Sequence, residues 1–261
     1  MSELQSNPGK QAVRTVDGVD WLRLPIKTCL ITNEHDMKNI VDEYAKPHLQ
    51  AGDVLFISEK AVACTQSRAI FMEDIKPRKL AVKLSNHVTK TPHGIGLGIP
   101  ETMEMALREC GTVRILFAAF CSVIGKLLGQ KGWFYMVAGP KARGIDGPTH
   151  GTIPPYDRCV VLAPAAPGKV AKELAAHLGN EVAIVDINDL GANILGWSSK
   201  ALKSSLWSRS WATTPWVRAA NAPPWALSER RKRQKRHPIP YGTGCLFCGA
   251  GDIPPPGGCL L

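Results

Sequence analysis

The chain has no apolar run long enough to cross a bilayer. Its longest, Ile115 to Ile124, lies between Arg114 and Lys126 and falls short of the roughly 20 residues that a spanning helix needs. The first residues lack the basic, apolar and small-residue zones of a secretory signal. Paired cysteine spacing is also missing from the body. Cys29, Cys64, Cys110, Cys121 and Cys159 are scattered and mostly lie in apolar segments, which reads as buried free thiols. These absences predict a cytoplasmic, reducing location and no membrane partner. There is no Walker A loop. The glycine-rich stretch Thr91-Pro92-His93-Gly94-Ile95-Gly96-Leu97-Gly98-Ile99-Pro100 lacks the clean preceding strand and the glycine offset of a dinucleotide fingerprint. It remains a candidate for contact with an anion, since glycines before a helix can expose N–H groups.

Acidic residues are scarce where basic ones are dense. From Ser198 to Leu261 there are ten Lys or Arg against two Asp or Glu, a net of +8; the preceding 197 residues carry twenty-two against twenty, a net of +2. The basic character belongs to the tail, so nucleic-acid binding is a question for the tail alone. Five of the seven tryptophans fall between Trp197 and Trp225, without helical or strand periodicity. A basic run, Arg230 to Arg236, and a Pro/Gly run, Pro254 to Gly258, follow. Cys245-Leu246-Phe247-Cys248 resembles half of a zinc knuckle, but the tail's other thiol, Cys259, and its histidine, His237, lie at irregular spacing, which argues against zinc. The expected organisation is a flexible 1–16, an α/β domain over 17–197, and a disordered 198–261. The abrupt change of composition near Gly196 reads like coding sequence in a shifted frame.

The body alternates strand-like and helix-like segments. Trp21 to Thr28 predicts an extended opening strand, with Pro25 at an edge or bend. Asn33 is the expected N-cap of a helix carrying Met37, Ile40, Val41 and Tyr44 on one face. Val54 to Ile57 predicts a buried strand with Ser58-Glu59-Lys60 at its C-terminal end, where α/β sheets hold ligands. Met103, Ala106, Leu107 and Cys110 keep helical spacing. Val113 to Leu128 predicts a buried helix apolar on most sides. Trp133 to Val137 predicts a strand, and Ile153 to Tyr156 an extended segment. Arg158–Leu162, Gly168–Leu178 and Val182–Asp186 predict a β-α-β unit. The fold class expected is α/β, in the α+β sense: a mixed sheet with packed helices.

Two carboxylates stand where apolar runs break. Asp186 closes Val182-Ala183-Ile184-Val185, and Asp146 lies between glycines in Gly144-Ile145-Asp146-Gly147-Pro148-Thr149. Brought together by a fold, such a pair suits a hard divalent cation holding phosphate oxygens. Alone, each Asp is an ordinary turn residue.

The ordered set Leu24-Pro25-Ile26-Lys27, Gly52-Asp53-Val54-Leu55 with Ser58-Glu59-Lys60, Gly144-Ile145-Asp146, and Ile184-Val185-Asp186-Ile187-Asn188 resembles the coenzyme F-420:L-glutamate ligase (gamma-glutamyl ligase) family. The resemblance covers Trp21 to Gly196. It implies a ligase joining L-glutamate to a carboxylate acceptor such as coenzyme F-420-0, using GTP and Mg2+ or Mn2+. It implies metal ligation by Asp146 and Asp186. Leu24 to Lys27, with Ser58, Glu59 and Lys60, would line the guanine-nucleotide site, and Lys60 would serve phosphoryl transfer. Three positions depart from the family. Cys64 stands where a second lysine is common, Ile187 where a metal-binding Thr is usual, and Thr149 where a nucleotide-contacting Asn occurs.

Three functions are therefore in view. The leading one is a metal- and nucleotide-dependent carboxylate–amine ligase acting on a small acid and glutamate, with a homodimer allowed for. The second is a catalytically impaired nucleotide-binding relative, which Cys64 and Ile187 favour. The third, given least weight, is single-strand nucleic-acid binding through the tail's tryptophans and cations.

Overall fold

The computed structural model describes residues 13–16, 19–88, 95–130, 132–149, 152–188, 191–202, 228–231 and 242–246. The chain divides into two compact units, one formed by Met1–Thr65 with Ala165–Leu261 and the other by Gln66–Pro164. Both mix helices and strands, as the α/β expectation requires.

The first unit is built on a sheet containing β1 (Val13–Val16), β2 (Val19–Ile26), β3 (Val54–Ser58), β6 (Glu181–Asn188) and β7 (Gly191–Trp197). Strands β3 and β6 run parallel, Val54 opposite Glu181 through Ser58 opposite Val185. All of β3 and Val182 to Val185 of β6 are buried, the pattern of strands covered on both faces. Val54, Phe56, Ala183 and Val185 face Leu202, with Ile194 and Trp197 packed against them. Strand β7 returns antiparallel to β6. Helix α8 (Pro167–Leu178) packs beside it through Ala171 and Leu174. The approach at Gly196 is close: a Cβ there would lie 2.4 Å from the Pro167 carbonyl carbon and 2.6 Å from Gly168 N.

Two segments of the basic tail enter the same sheet. Strands β8 (Ser228–Arg231) and β9 (Gly242–Leu246) lie between β2 and β3. Both are short segments within 198–261, the stretch whose composition predicts a disordered tail. Unpaired N–H and C=O groups on the facing edges of β2 and β3 offer ladder partners to any extended segment, whatever its side-chain composition. Order also continues past 197. Ser198 N donates to Val182 O at 2.9 Å, and Leu202 is buried. The tail's four tryptophans, most of its basic run, Cys248, Cys259 and His237 lie outside the described residues.

Helix α1 (Met37–Ile40) continues through a π turn, Val41–Ala45, into a 3-10 turn, Lys46–His48. Met37, Ile40 and Val41 are buried as their spacing predicts. The cap is Asp36 rather than Asn33: its Oδ1 accepts Lys38 N–H at 2.7 Å, one turn later than the acidic run suggests. His177 of α8 meets Asp42 at 2.7 Å.

The second unit is mainly helical. It contains α3 (Lys79–Ser85), α4 (Pro100–Cys110), α5 (Thr112–Leu127), α6 (Trp133–Ala138) and α7 (Pro140–Arg143), with a small antiparallel pair, β4 (Ala69–Phe71) and β5 (Cys159–Val161). Its core includes Leu97, Met103, Leu107, Ile115, Ala118 and Ile145. The carboxylate of Glu104, itself buried, takes Arg78 Nε at 3.0 Å and Arg108 Nε at 2.8 Å.

Four expectations change here. Trp133 to Val137 is helix α6, not a strand: Gly132 and Gly139, both at positive φ, bound it, and the Trp133 ring packs onto Gly125 of α5. Ile153 to Tyr156 is a turn leading into a 3-10 helix, Tyr156–Arg158, with a cis peptide between Pro154 and Pro155. The β-α-β reading fails because β5 pairs with β4, while the parallel partner of β6 is β3; chain adjacency does not fix sheet adjacency. Helix α5 is not buried. Only Ile115, Ala118 and Gly125 are inside, and its opposite face is exposed.

Candidate functional site

Within the first unit, sheet register gathers most of the residues expected at a site. Ile26 of β2 lies level with Leu246 of β9, which lies level with Ile57 of β3, which lies level with Ile184 of β6. These four strands run in one direction, so the residues that follow share one edge of the sheet. They are Lys27 after β2, Ser58-Glu59-Lys60 after Ile57, and Asp186 two residues after Ile184. The carboxyl ends of parallel strands are where open α/β sheets hold ligands.

The segments divide between core and edge by the two-residue strand period. Leu24 and Ile26 are buried and serve as packing. Pro25 is half-buried and Lys27 exposed. Ser58 and Glu59 are buried, and Glu59 opens helix α2 (Glu59–Thr65). Ser58 Oγ accepts Lys60 N–H at 3.3 Å, which fixes the strand-to-helix bend. Lys60 Nζ is 3.0 Å from Glu59 Oε1, with side chains 25% and 3% exposed respectively. An ammonium is thus held beside a buried carboxylate at the strand end. Cys64 lies on the inner face of α2, 4% exposed. Asp186 is half-buried.

The loop after Lys27 holds a cluster that sequence patterns did not point to. Thr32 N–H donates to His35 Nδ1 at 3.1 Å, and Thr32 Oγ1 lies 2.9 Å from the same atom. An Nδ1 that accepts a backbone N–H places the ring proton on Nε2, which lies 3.8 Å from Cys29 Sγ. Burial raises the Tyr44 phenol well above its ordinary value, and hydrogen bonding to Cys29 and Glu43 adds to the shift. The cluster braces residues 28–36, and so the backbone leading away from Lys27. Its only sequence trace is a Cys and a His six residues apart.

Asp146 and Thr149 belong to the second unit. Asp146 is exposed, and its backbone is fixed by a reciprocal bridge with Val161, both N–H···O distances being 2.9 Å. Val161 also pairs with Ala69 of β4, so this bridge lies on the edge of β5 opposite β4. The next residue is tightly enclosed: a Cβ on Gly147 would lie 3.1 Å from Thr102 Cγ2 and 3.4 Å from Ile95 Cγ2. The Asp146 loop thereby rests on the first turn of α4 and on Ile95 of the glycine-rich stretch. Thr91 to Gly94 of that stretch lie outside the described residues. Burial raises the Tyr135 phenol, and the Asp146 charge pushes the same way, against a Leu97 backbone bond and Arg143. Thr149 Oγ1 is engaged with Thr152 Oγ1 at 3.0 Å.

Among the described residues, no three His, Cys, Asp or Glu side chains cluster as a self-sufficient metal site. The donors expected at a metal, Asp146 and Asp186, offer carboxylate oxygen only. That chemistry fits a magnesium-like ion, which commonly takes one or two carboxylates and completes its shell with water and phosphate. It does not fit a structural zinc.

Comparison with known proteins gives one assignment. Residues 25–190 match the family described as F420-0:Gamma-glutamyl ligase. No curated protein matches the chain.

Proposed function

The chain belongs to the F420-0:gamma-glutamyl ligase family, and on that footing we propose that it joins L-glutamate to a small carboxylic acid at the expense of a nucleoside triphosphate. The acid would be coenzyme F420-0 or a related acceptor, and GTP the co-substrate. The observation that carries the reading is the shared edge of Lys27, Ser58 to Lys60 and Asp186 in the first unit, in a chain of this family.

The chemistry asks for those residue types. A carboxylate resists attack by an amine until one oxygen is made a leaving group. In the proposed sequence the acceptor carboxylate oxygen attacks the terminal phosphorus and the nucleoside diphosphate leaves. The glutamate amine then attacks the acyl carbon, inorganic phosphate departs, and the nitrogen gives up a proton. Positioning and charge neutralisation do most of the work in such a transfer. Lys60, held at 3.0 Å from Glu59, presents an ammonium to phosphate oxygens. Asp186, at the edge shared with Lys60, would serve as a ligand of a Mg2+ or Mn2+ ion, which supplies positive charge to the transferring phosphoryl group; Asp146 is the carboxylate ligand proposed from the second unit. Lys27 and the backbone braced by Thr32 and His35 would shape the nucleotide-binding side.

The test is nucleotide hydrolysis by the full chain with magnesium or manganese, with glutamate and acceptor added singly and together. Hydrolysis requiring both supports the ligase; hydrolysis indifferent to glutamate sinks it. A second reading, a nucleotide-binding relative without turnover, is favoured by Cys64. That position is buried in α2 and supplies no second cation. Nucleotide binding without glutamate-dependent hydrolysis would establish that reading instead.

A further inference from the structure

Helix α5 turns an apolar face outward. Val113 and Leu127 are each 82% exposed, Phe117 57% and Phe120 61%, and Leu116 and Val123 are exposed beside them. At 100° per residue these six side chains fall within an arc of about 120° that carries no polar group. Leu128, just past the helix, and Met136 on α6 are exposed as well. An exposed aromatic or aliphatic side chain offers on the order of 100 Å2, so the patch exceeds the few hundred Å2 that a soluble monomer commonly shows.

The charges within this segment of the sequence are of one sign. From Gly111 to Ile145 the sequence contains five cations, Arg114, Lys126, Lys131, Lys141 and Arg143, and no Asp or Glu. Arg114 and Lys126 are exposed and lie on α5 about 60° beyond either edge of the apolar arc. A second copy docked through the same face would set these rims against each other with no acid in the segment to pair them. It would also find no polar side chain on the face to fix a register. Among the described residues no single helix is long and apolar enough to cross a membrane.

An apolar stripe with phenylalanines and cationic rims suits a different partner. We propose that α5 docks the protein on an anionic lipid surface, lying in the plane of the interface. Phe117, Phe120 and Leu127 would enter the acyl boundary while Lys126 meets lipid phosphates and Arg114, whose Nε donates to Val137 O at 2.9 Å, adds its charge to the other rim.

The experiment is co-sedimentation of the full chain with vesicles of phosphatidylcholine alone and of phosphatidylcholine mixed with phosphatidylglycerol, at low and high salt. Binding to the mixed vesicles should exceed binding to phosphatidylcholine by about tenfold and weaken with salt. The Phe117→Glu/Phe120→Glu variant should lose at least about tenfold in binding with an unchanged melting curve, since both positions are exposed. Lys126→Glu should lose severalfold and leave the apolar face intact. Mixed-vesicle binding that survives the double substitution would place the contact elsewhere, for instance on the basic tail, and overturn the proposal. No vesicle binding, with a dimer in sedimentation velocity that the double substitution dissociates, would overturn it in favour of a second copy.

Discussion

In the proposed reaction Lys60 acts through where its ammonium is held, 3.0 Å from a carboxylate that is itself 3% exposed. Lys60→Ala should weaken triphosphate binding by about 2 kcal/mol, roughly thirtyfold, and change nucleoside binding little. Isothermal titration with both ligands measures the difference, and equal losses would point to damage in the fold. Asp186→Asn and Asp146→Asn should each remove metal-dependent nucleotide binding while leaving the melting temperature within a degree or two, because neither side chain is in the core. Undiminished binding of magnesium-nucleotide would refute the ligand assignment. Glu104 tests stability instead. Burial alone would raise its pKa, but the hydrogen bonds from Arg108 and Arg78 outweigh burial and hold it below the ordinary 4.5. A folded-state pKa below the unfolded one contributes stability above about 4.5, lost as pH falls through the lowered value. Glu104→Gln should therefore cost about 2–3 kcal/mol at neutral pH and flatten the acid limb of the stability curve. Urea titrations between neutral pH and about pH 3 follow both.

At the scale of elements, close approach decides more than composition does. Strand β7 packs against the start of α8 only because position 196 has no side chain. An added methyl would meet the Pro167 carbonyl and Gly168 N at 2.4–2.6 Å, both backbone groups. Gly196→Ala should cost about 3 kcal/mol or more, the upper end of overpacking, read as a fall in melting temperature. A neutral result would mean that α8 can move away from the sheet freely. The same reasoning explains why Trp133 to Val137 does not form a strand. An aromatic run of that length is compatible with either structure. Gly125 on α5 gives the Trp133 ring a place to lie, and the helix follows from that contact.

For the molecule as a whole, the tail is the informative part. Strand β9 bridges β2 and β3 at the level of Ile26 and Ile57, so it sets the spacing between Lys27 and Lys60 at the sheet edge. Paired on both sides, the amides of Cys245 and Leu246 should exchange far more slowly than an unstructured peptide's. Exchange at the peptide rate would return this part of the tail to the disordered state that its charge predicts. The experiment also bears on the site, since β2 without β9 would lose its alignment to β3 beyond the reach of β8.

Local chemistry alone determined a good deal. The α/β class, the buried β3 and the helical register of Met37, Ile40 and Val41 all follow from apolar periodicity, which acts over a few residues. The motif order from Leu24 to Asn188 also pointed to the family that residues 25–190 match. Tertiary structure decided the rest. Sheet neighbours were not legible, because β3 pairs with β6 across more than a hundred residues and no local signal encodes that choice. The outward face of α5 was not legible either, since an apolar helix reads the same whether its second face meets a core or a surface. Which members of Leu24-Pro25-Ile26-Lys27 and Ser58-Glu59-Lys60 reach the sheet edge depended on register, because a shift of one residue moves every side chain to the opposite face of a strand.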